Sequence, residues 1–112
     1  MSTKTVERIA STKSPLVVIW TLTDGETGPV QQCVGFNDKS VHVFGDFQGA
    51  SVAIKGGNTE DGSKFATLKD FDAADLTFAA LGINSIRDNV GFMQPVVTGG
   101  TNSAITVVVL ME

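Results

Sequence analysis

The sequence contains one cysteine, one histidine and no tyrosine. Because a disulfide needs two thiols, Cys33 cannot form a bridge within the chain, and we interpret it as a small buried apolar residue. The usual zinc sites combine several His and Cys side chains, which His42, Cys33 and carboxylates alone would have to supply. No helix or elbow motif frames Cys33 as a nucleophile for His42 to activate. We therefore expect no cofactor, no metal and no enzymatic activity.

Positive charge is scarce as well. Eight Lys and Arg stand against twelve Asp and Glu, so the formal net charge is −4. Binding to phosphates needs a basic face, whereas these cations are scattered, with only Lys4, Arg8 and Lys13 gathered near the start. The sequence also lacks the roughly eighteen consecutive apolar residues of a membrane span and the apolar run of a signal peptide. We expect a soluble cytoplasmic product with neither nucleic acid nor membrane as partner.

What the chain does have is enough length for one domain of 112 residues. Residues 1–15 are rich in Ser, Thr and Lys and end at Pro15, which predicts an extended N-terminal arm. A short helical turn over 6–10 is the alternative, because Val6, Ile9 and Ala10 have helical spacing. Residues 16–112 form the predicted domain.

From Leu16 onward, short runs of Val, Ile, Phe and Thr alternate with Gly, Asn and Asp clusters. This pattern is typical of an antiparallel β-sandwich with six or more strands. Residues 16–22 are apolar on both faces, which predicts a central strand forming a hairpin with residues 30–36. Residues 51–55 should place Val52 and Ile54 inward, whereas residues 81–89 resemble a turn or one helical turn. The predicted fold class is all-β, a small antiparallel β-sandwich of the jelly-roll kind with an N-terminal arm.

Residues 92–98 and 104–111 are predicted to be the closing hairpin. Pro95 lacks a ladder donor, so its strand should lie at a sheet edge or turn a corner there. Residues 104–111 are apolar on both faces except for Thr106, so one face should meet the core and the other a partner subunit. The candidate interface residues are Val6, Arg8, Ile9, Pro95, Val107, Val109 and Met111.

Two acidic clusters could be taken for cation sites. The first contains Asp70, Asp72 and Asp75, but it lacks the glycine and terminal glutamate spacing of an EF-hand. The second, around Asn58 and Asp61, is explained by a tight turn. We interpret both as turns with solvated carboxylates. Trp20 lies in the most apolar strand, so we expect it to pack in the core rather than stack on a sugar or base.

One further feature is a resemblance. Residues 44–58, read as FGDFQGASVAIKGGN, are followed by Asp61-Gly62, by residues 65–68 (FATL) and by residues 94–100 (QPVVTGG). Together they resemble small decoration, or cement, proteins of tailed-bacteriophage heads over roughly residues 16–111. The same run is also similar to discoidin-like jelly-roll carbohydrate-binding modules, although Gly57 replaces their usual Ser and Phe65 their usual Trp.

The first resemblance implies a virion structural protein on the capsid surface. Such a protein binds the outside of an icosahedral shell at junctions between subunits of the major capsid protein and stabilises it. Partners would be the major capsid protein and copies of the chain itself, as a homodimer or homotrimer, with the arm ordering on binding. A carbohydrate- or receptor-binding module and a tail or neck component of the same particle are the alternatives.

Overall fold

The computed structural model describes residues 3–8 and 15–112, excluding the side chains of residues 7 and 8. Within this part, the one helical element is a 3-10 turn, Gly62–Lys64, and everything else regular is β-structure. The strands are β1 (Thr3–Arg8), β2 (Leu16–Leu22), β3 (Gln31–Gln32), β4 (Lys39–Asp46), β5 (Ser51–Gly57), β6 (Ala66–Thr67), β7 (Thr77–Phe78), β8 (Gly82–Ile86), β9 (Phe92–Thr98) and β10 (Ala104–Met111).

The strands form two sheets, in which all neighbours are antiparallel. The first sheet has the order β1-β2-β10-β4-β8, and the second has the order β3-β9-β5-β6, with β7 also paired to β5. Pairing is nested along the chain: β2 pairs with β10, β3 with β9, β4 with β8, and β5 with β6 and β7. This is a ribbon folded back on itself and rolled into two layers, so the jelly-roll prediction is confirmed.

Period-two burial explains why the two layers pack. In β2, Leu16, Val18, Trp20 and Leu22 are buried, and β5 buries Val52 and Ile54 as expected. The indole of Trp20 is fully buried, and its Nε1 donates a hydrogen bond to the carbonyl of Pro29 at 2.8 Å. The largest fully buried side chains, which form the centre of the core, are Trp20, Leu22, Ile54, Leu76, Met93, Ile105 and Met111.

Both predicted hairpins are wrong, because each connection crosses between the sheets. Strand β2 lies in the first sheet, between β1 and β10, which confirms its central position, whereas β3 lies in the second sheet. Strands β9 and β10 are likewise in different sheets. Residues 99–103 make that crossing, with Gly99 and Gly100 at φ values of 74° and 94°. A five-residue connection suits either arrangement, so its length does not identify the partner strand.

Two further segments differ from simple expectation. Residues 82–86 form β8, paired with β4 at the edge of the first sheet, rather than a turn. Periodicity cannot separate a short mixed run of this kind from a helical turn. Residues 3–8 are extended, but they pair with all of β2 from Thr21 to Leu16 as an additional sheet strand. Residues 9 and 10 of the alternative helical turn lie outside the described residues.

Membrane crossing by a helix has no candidate among residues 3–8 and 15–112, since none of their helical segments is long and apolar enough.

Candidate interaction surface

Strand β10 presents different residues to the outside from those selected on sequence. Val107, Val109 and Met111 are fully buried in the core. A partner could reach them only by opening the sandwich, so their selection as interface residues is wrong. Alternation along the strand was predicted correctly, but its phase was not. The outward residues in the middle of β10 are Thr106, Val108 and Leu110.

Pro95 is also buried and is corrected as an interface residue. It pairs with Ile54 of β5, and on its other side its carbonyl accepts a hydrogen bond from the backbone of Gly28 at 2.9 Å. A Cβ on Gly28 would lie 2.7 Å from the Trp20 ring and 2.9 Å from the Pro95 ring, so glycine allows this close packing. Beyond the two residues of β3, the edge of the sheet at Pro95 is covered by an irregular segment. Its position therefore agrees with the sheet-edge expectation.

The three arm residues have different outcomes. Val6 pairs with Val18 and is 45% exposed, so its side chain is available to a partner. Arg8 pairs with Leu16 through the backbone, but its side chain lies outside the described residues, as does all of Ile9. Contact of these residues with a partner stays a prediction.

Three rows of outward residues cross the first sheet. Backbone register places the members of a row side by side, about 5 Å apart. Read across β2, β10, β4 and β8, the rows are Thr21, Thr106 and Phe44; then Ile19, Val108, His42 and Ile83; then Val17, Leu110, Ser40 and Ser85. None of these residues is Asp, Glu, Lys or Arg, and six of them are large and apolar. We call this surface the apolar face.

At one side of the apolar face, β1 adds Thr3, Thr5 and Glu7 at the matching register positions. At the other side, Phe44 and Ile83 are 36% and 69% exposed, and the rings of His42 and Phe44 are in contact, with centroids 4.9 Å apart. Charge thus enters the three rows at Glu7, on the outermost strand.

An open pocket adjoins the apolar face. Its volume is about 210 Å³, and it is lined by Phe71 together with Ser40, Ser85 and Leu110 of the face and with Asp38 and Glu112, among others. Phe71 is 71% exposed. Hydrogen bonds from the backbones of Asp72 and Ala74 to the Asp70 carboxylate hold the turn that carries this ring. The apolar surface therefore extends beyond the strands onto a fixed turn.

The outer face of the second sheet is different. Its outward pairs on β5 and β9 are Ser51 with Thr98, Ala53 with Val96, and Lys55 with Gln94. The loop before β6 packs over one end of this face. A Cβ on Gly57 would lie 3.0 Å from the ring of Phe65, and a Cβ on Gly62 would lie 2.8 Å from the amide of Gln94. Small, polar and charged residues thus dominate this face, and the chain itself covers part of it.

Residues considered for nucleophilic chemistry are kept apart. Cys33 is buried in the core, as predicted, whereas His42 points outward between the core residues Val41 and Val43. Burial raises the pKa of the Cys33 thiol, an effect that the charge of Lys39 opposes only in part. Within the described residues, no group of three or more His, Cys, Asp or Glu side chains is arranged to hold a metal ion.

The acidic loops use their carboxylates within the fold. Asp70 is only 8% exposed, so it is not solvated as expected. Hydrogen bonds from the backbones of Ala74 and Asp72, and from Asn84 Nδ2 at 2.9 Å, hold its pKa below the usual range despite burial. Asp61 accepts hydrogen bonds from the hydroxyl and backbone of Ser63, which lower its pKa. Both loops are turns closed by carboxylates.

Sequence reasoning missed three exposed apolar residues. Phe44 had a usable signal, because it alternates with Val41 and Val43. Ile83 was hidden by the expectation of a turn, and Phe71 lies among aspartates in a loop whose conformation no periodic pattern reveals.

No protein-family model and no curated protein matches the chain. Solved structures do. The SPBc2 prophage-derived protein YomS is similar over 100% of this chain and 96% of its own, with a TM-score of 0.65 and 10% identity. A cupin superfamily protein from Desulfitobacterium hafniense covers 97% of this chain and 77% of its own length, with a TM-score of 0.48 and 12% identity. A cupin domain from Bordetella pertussis covers 99% and 93%, with a TM-score of 0.47 and 11% identity. At these identities the likeness concerns the fold.

Proposed function

We propose that the chain is a structural subunit of a phage particle, a decoration protein that binds the outer surface of an icosahedral capsid and stabilises it. The observation that carries this proposal is the apolar face. A sheet surface with six large apolar residues and no charge on four of its five strands is suited to protein contact. Among the described loops, the carboxylates of Asp24, Asp61 and Asp70 are bound to the chain's own backbone.

Support for a phage particle comes from two directions. The fold is similar to that of a prophage-derived protein along nearly the whole of both chains. The run from Phe44 to Asn58 and the segments that follow it resemble head decoration proteins. In this proposal the partner is the major capsid protein, the site is a junction between its subunits, and the protein acts at the capsid surface without catalysis. A tail or neck position in the same particle would use the same kind of contact.

The test is co-sedimentation of the purified chain with heads of the phage or prophage that encodes it, assembled without it. The readout is the number of copies bound per major capsid subunit. We expect binding that saturates at a fixed ratio, together with a higher temperature of head disruption. Tails of the same particle serve as the matched control, and saturation on tails alone would move the protein there. No binding to either would overturn the proposal.

A second candidate, a carbohydrate- or receptor-binding module, is favoured by Phe71. An exposed ring beside Asp38, Ser40 and Ser85 has the composition of a sugar-stacking site. Against it, the single tryptophan is in the core. A chain that fails to bind heads but binds a glycan, and loses the glycan when Phe71 is replaced by alanine, would support this candidate.

A further inference from the structure

The apolar face poses one question that the rest of the fold does not answer, namely what covers it. Six large apolar residues lie on one side of a 112-residue chain, and no segment within the described residues packs over them. The loops that close the sandwich pack elsewhere, such as over the outer face of the second sheet. The covering element must therefore come from another molecule.

Charge narrows the choice of molecule. Contacts between different, separable proteins are about as polar as the average surface and use complementary charges for recognition, whereas homodimer contacts are more apolar. The chain carries a net charge of −4, with eight basic and twelve acidic residues, yet β2, β10, β4 and β8 place none of these residues in the three rows. A two-fold contact sets each surface against its own copy, where a central charge would meet its like. An uncharged centre suits that arrangement.

The geometry of the face also suits a two-fold pair. Strand β10 is the middle of five strands, and Val108 is on the middle row, between Ile19 and His42. A two-fold axis through this centre would place Val108 against Val108 of the second copy. Larger apolar residues lie on both sides, with Val17 and Leu110 in one flanking row and Phe44 in the other.

The area is sufficient for a specific dimer. Five strands about 4.8 Å apart, each about seven residues long at about 3.4 Å per residue, give a face of roughly 24 by 24 Å. Two copies would then bury on the order of 1,100 Å², which exceeds the roughly 1,000 Å² expected of a biological interface. Stacked sheets pack at about 10 Å with their strands nearly aligned, which such a face permits.

We propose that the apolar face is the interface of a two-fold homodimer centred on Val108, in which the first sheets of two copies stack face to face. This inference rests on the proposed function only in treating the face as a protein contact. It names the occupant as a second copy of the chain. Contact with the capsid then uses other surfaces, of which the exposed Val6 side of β1 is one.

The test is sedimentation equilibrium of the full chain, alone and with Val108 replaced by lysine. We expect the unaltered chain to be a dimer. Val108→Lys sets two ammonium groups together on the axis, so association should weaken on the order of 100-fold or more. Val96→Lys is the matched control, because Val96 is a half-buried outward valine on the second sheet, and it should leave association unchanged. Circular dichroism would confirm that both variants fold.

A second measurement does not depend on breaking the contact. Val108→Cys places a thiol at the axis, while the native Cys33 is 1% exposed and inaccessible. A bismaleimide with a span of about 10 Å should join two Val108→Cys chains efficiently and two Val96→Cys chains poorly. A monomeric wild-type chain, a dimer that survives Val108→Lys, or equal cross-linking of the two cysteine variants would each overturn the proposal.

Head binding separates this inference from the proposed function. A monomer that saturates heads would retain the decoration role and overturn the dimer. A Val108-centred dimer that binds neither heads nor tails would retain the interface and overturn the role.

Discussion

The outer faces of the two sheets are built on the same antiparallel framework but carry different side chains. Outward positions of the first sheet include Val17, Ile19, Val108 and Leu110, whereas equivalent positions of β5 and β9 include Ser51, Lys55 and Thr98. Inward positions of both sheets are apolar. The core therefore explains only the inward half of each pattern.

The difference teaches that β-propensity is not the reason for the valines and isoleucines of the apolar face. Both sheets need extended backbone, and the second obtains it with Ser, Thr, Ala and Lys outward. An outward valine adds little to monomer stability compared with an outward threonine, because both are β-branched. The apolar composition is accounted for by contact with another molecule, which the second sheet does not require.

Removing the core that both faces share should have the largest effect. Trp20→Ala deletes a fully buried ring and its hydrogen bond to Pro29. We expect the free energy of unfolding to fall by about 3–5 kcal/mol and the melting temperature by roughly 10–20 °C. Phe71→Ala, which removes a 71% exposed ring, should change the free energy of unfolding by less than about 0.5 kcal/mol. Urea denaturation measures both, and equal losses would contradict the assignment of Trp20 to the core.

Neighbouring valines of β10 provide the next largest effect and test the alternation directly. Val107→Thr buries a hydroxyl in the core and should cost about 1–3 kcal/mol of unfolding free energy. Val108→Thr places the hydroxyl on the apolar face and should change the stability of the monomer by less than about 0.5 kcal/mol. Denaturation at a concentration where the chain is monomeric gives both values. A larger loss at Val108 than at Val107 would reverse the assigned phase.

The same pair of valines explains how far sequence reasoning reached. Alternation between residues 104 and 111 indicated a strand with two apolar faces and one covered by a partner. Both sides of that pattern read as Val, Ile or Leu, so no residue marked which side was inward, and Val107, Val109 and Met111 were selected in place of Val108 and Leu110. A strand with one polar face, such as residues 51–55, carried its own phase and was predicted correctly.

Partners of strands were harder to predict than the strands themselves. Turn residues such as Gly99 and Gly100 indicate where the chain reverses, but not whether it returns in the same sheet or crosses to the other. The crossing is decided by contacts far apart in sequence, such as those between Asp24 and Ser103. The apolar face could not be predicted either, because its rows combine β2, β4, β8 and β10.

Asp24 gives the smallest expected effect and tests the connection between the sheets. Its carboxylate accepts hydrogen bonds from the Ser103 hydroxyl and from the backbones of Ser103 and Asn102, the latter two at 2.8 and 2.7 Å. These bonds, with the Ser103 hydroxyl first, lower the pKa of Asp24. A lowered pKa in the folded state stabilises the fold above the unfolded value near pH 4, and this contribution is lost as the pH falls through the folded pKa.

Asp24→Asn should therefore lower the melting temperature at pH 7, and the difference from wild type should shrink as the pH is lowered below about 4. Asp61→Asn is the control, because Asp61 also has a serine partner and a lowered pKa. Its bonds close a turn over two residues, whereas those of Asp24 join positions 79 residues apart, so Asp24→Asn should have the larger effect at pH 7. A difference between wild type and Asp24→Asn that stays constant from pH 7 to pH 2 would show that the carboxylate's charge does not hold the crossing of residues 99–103.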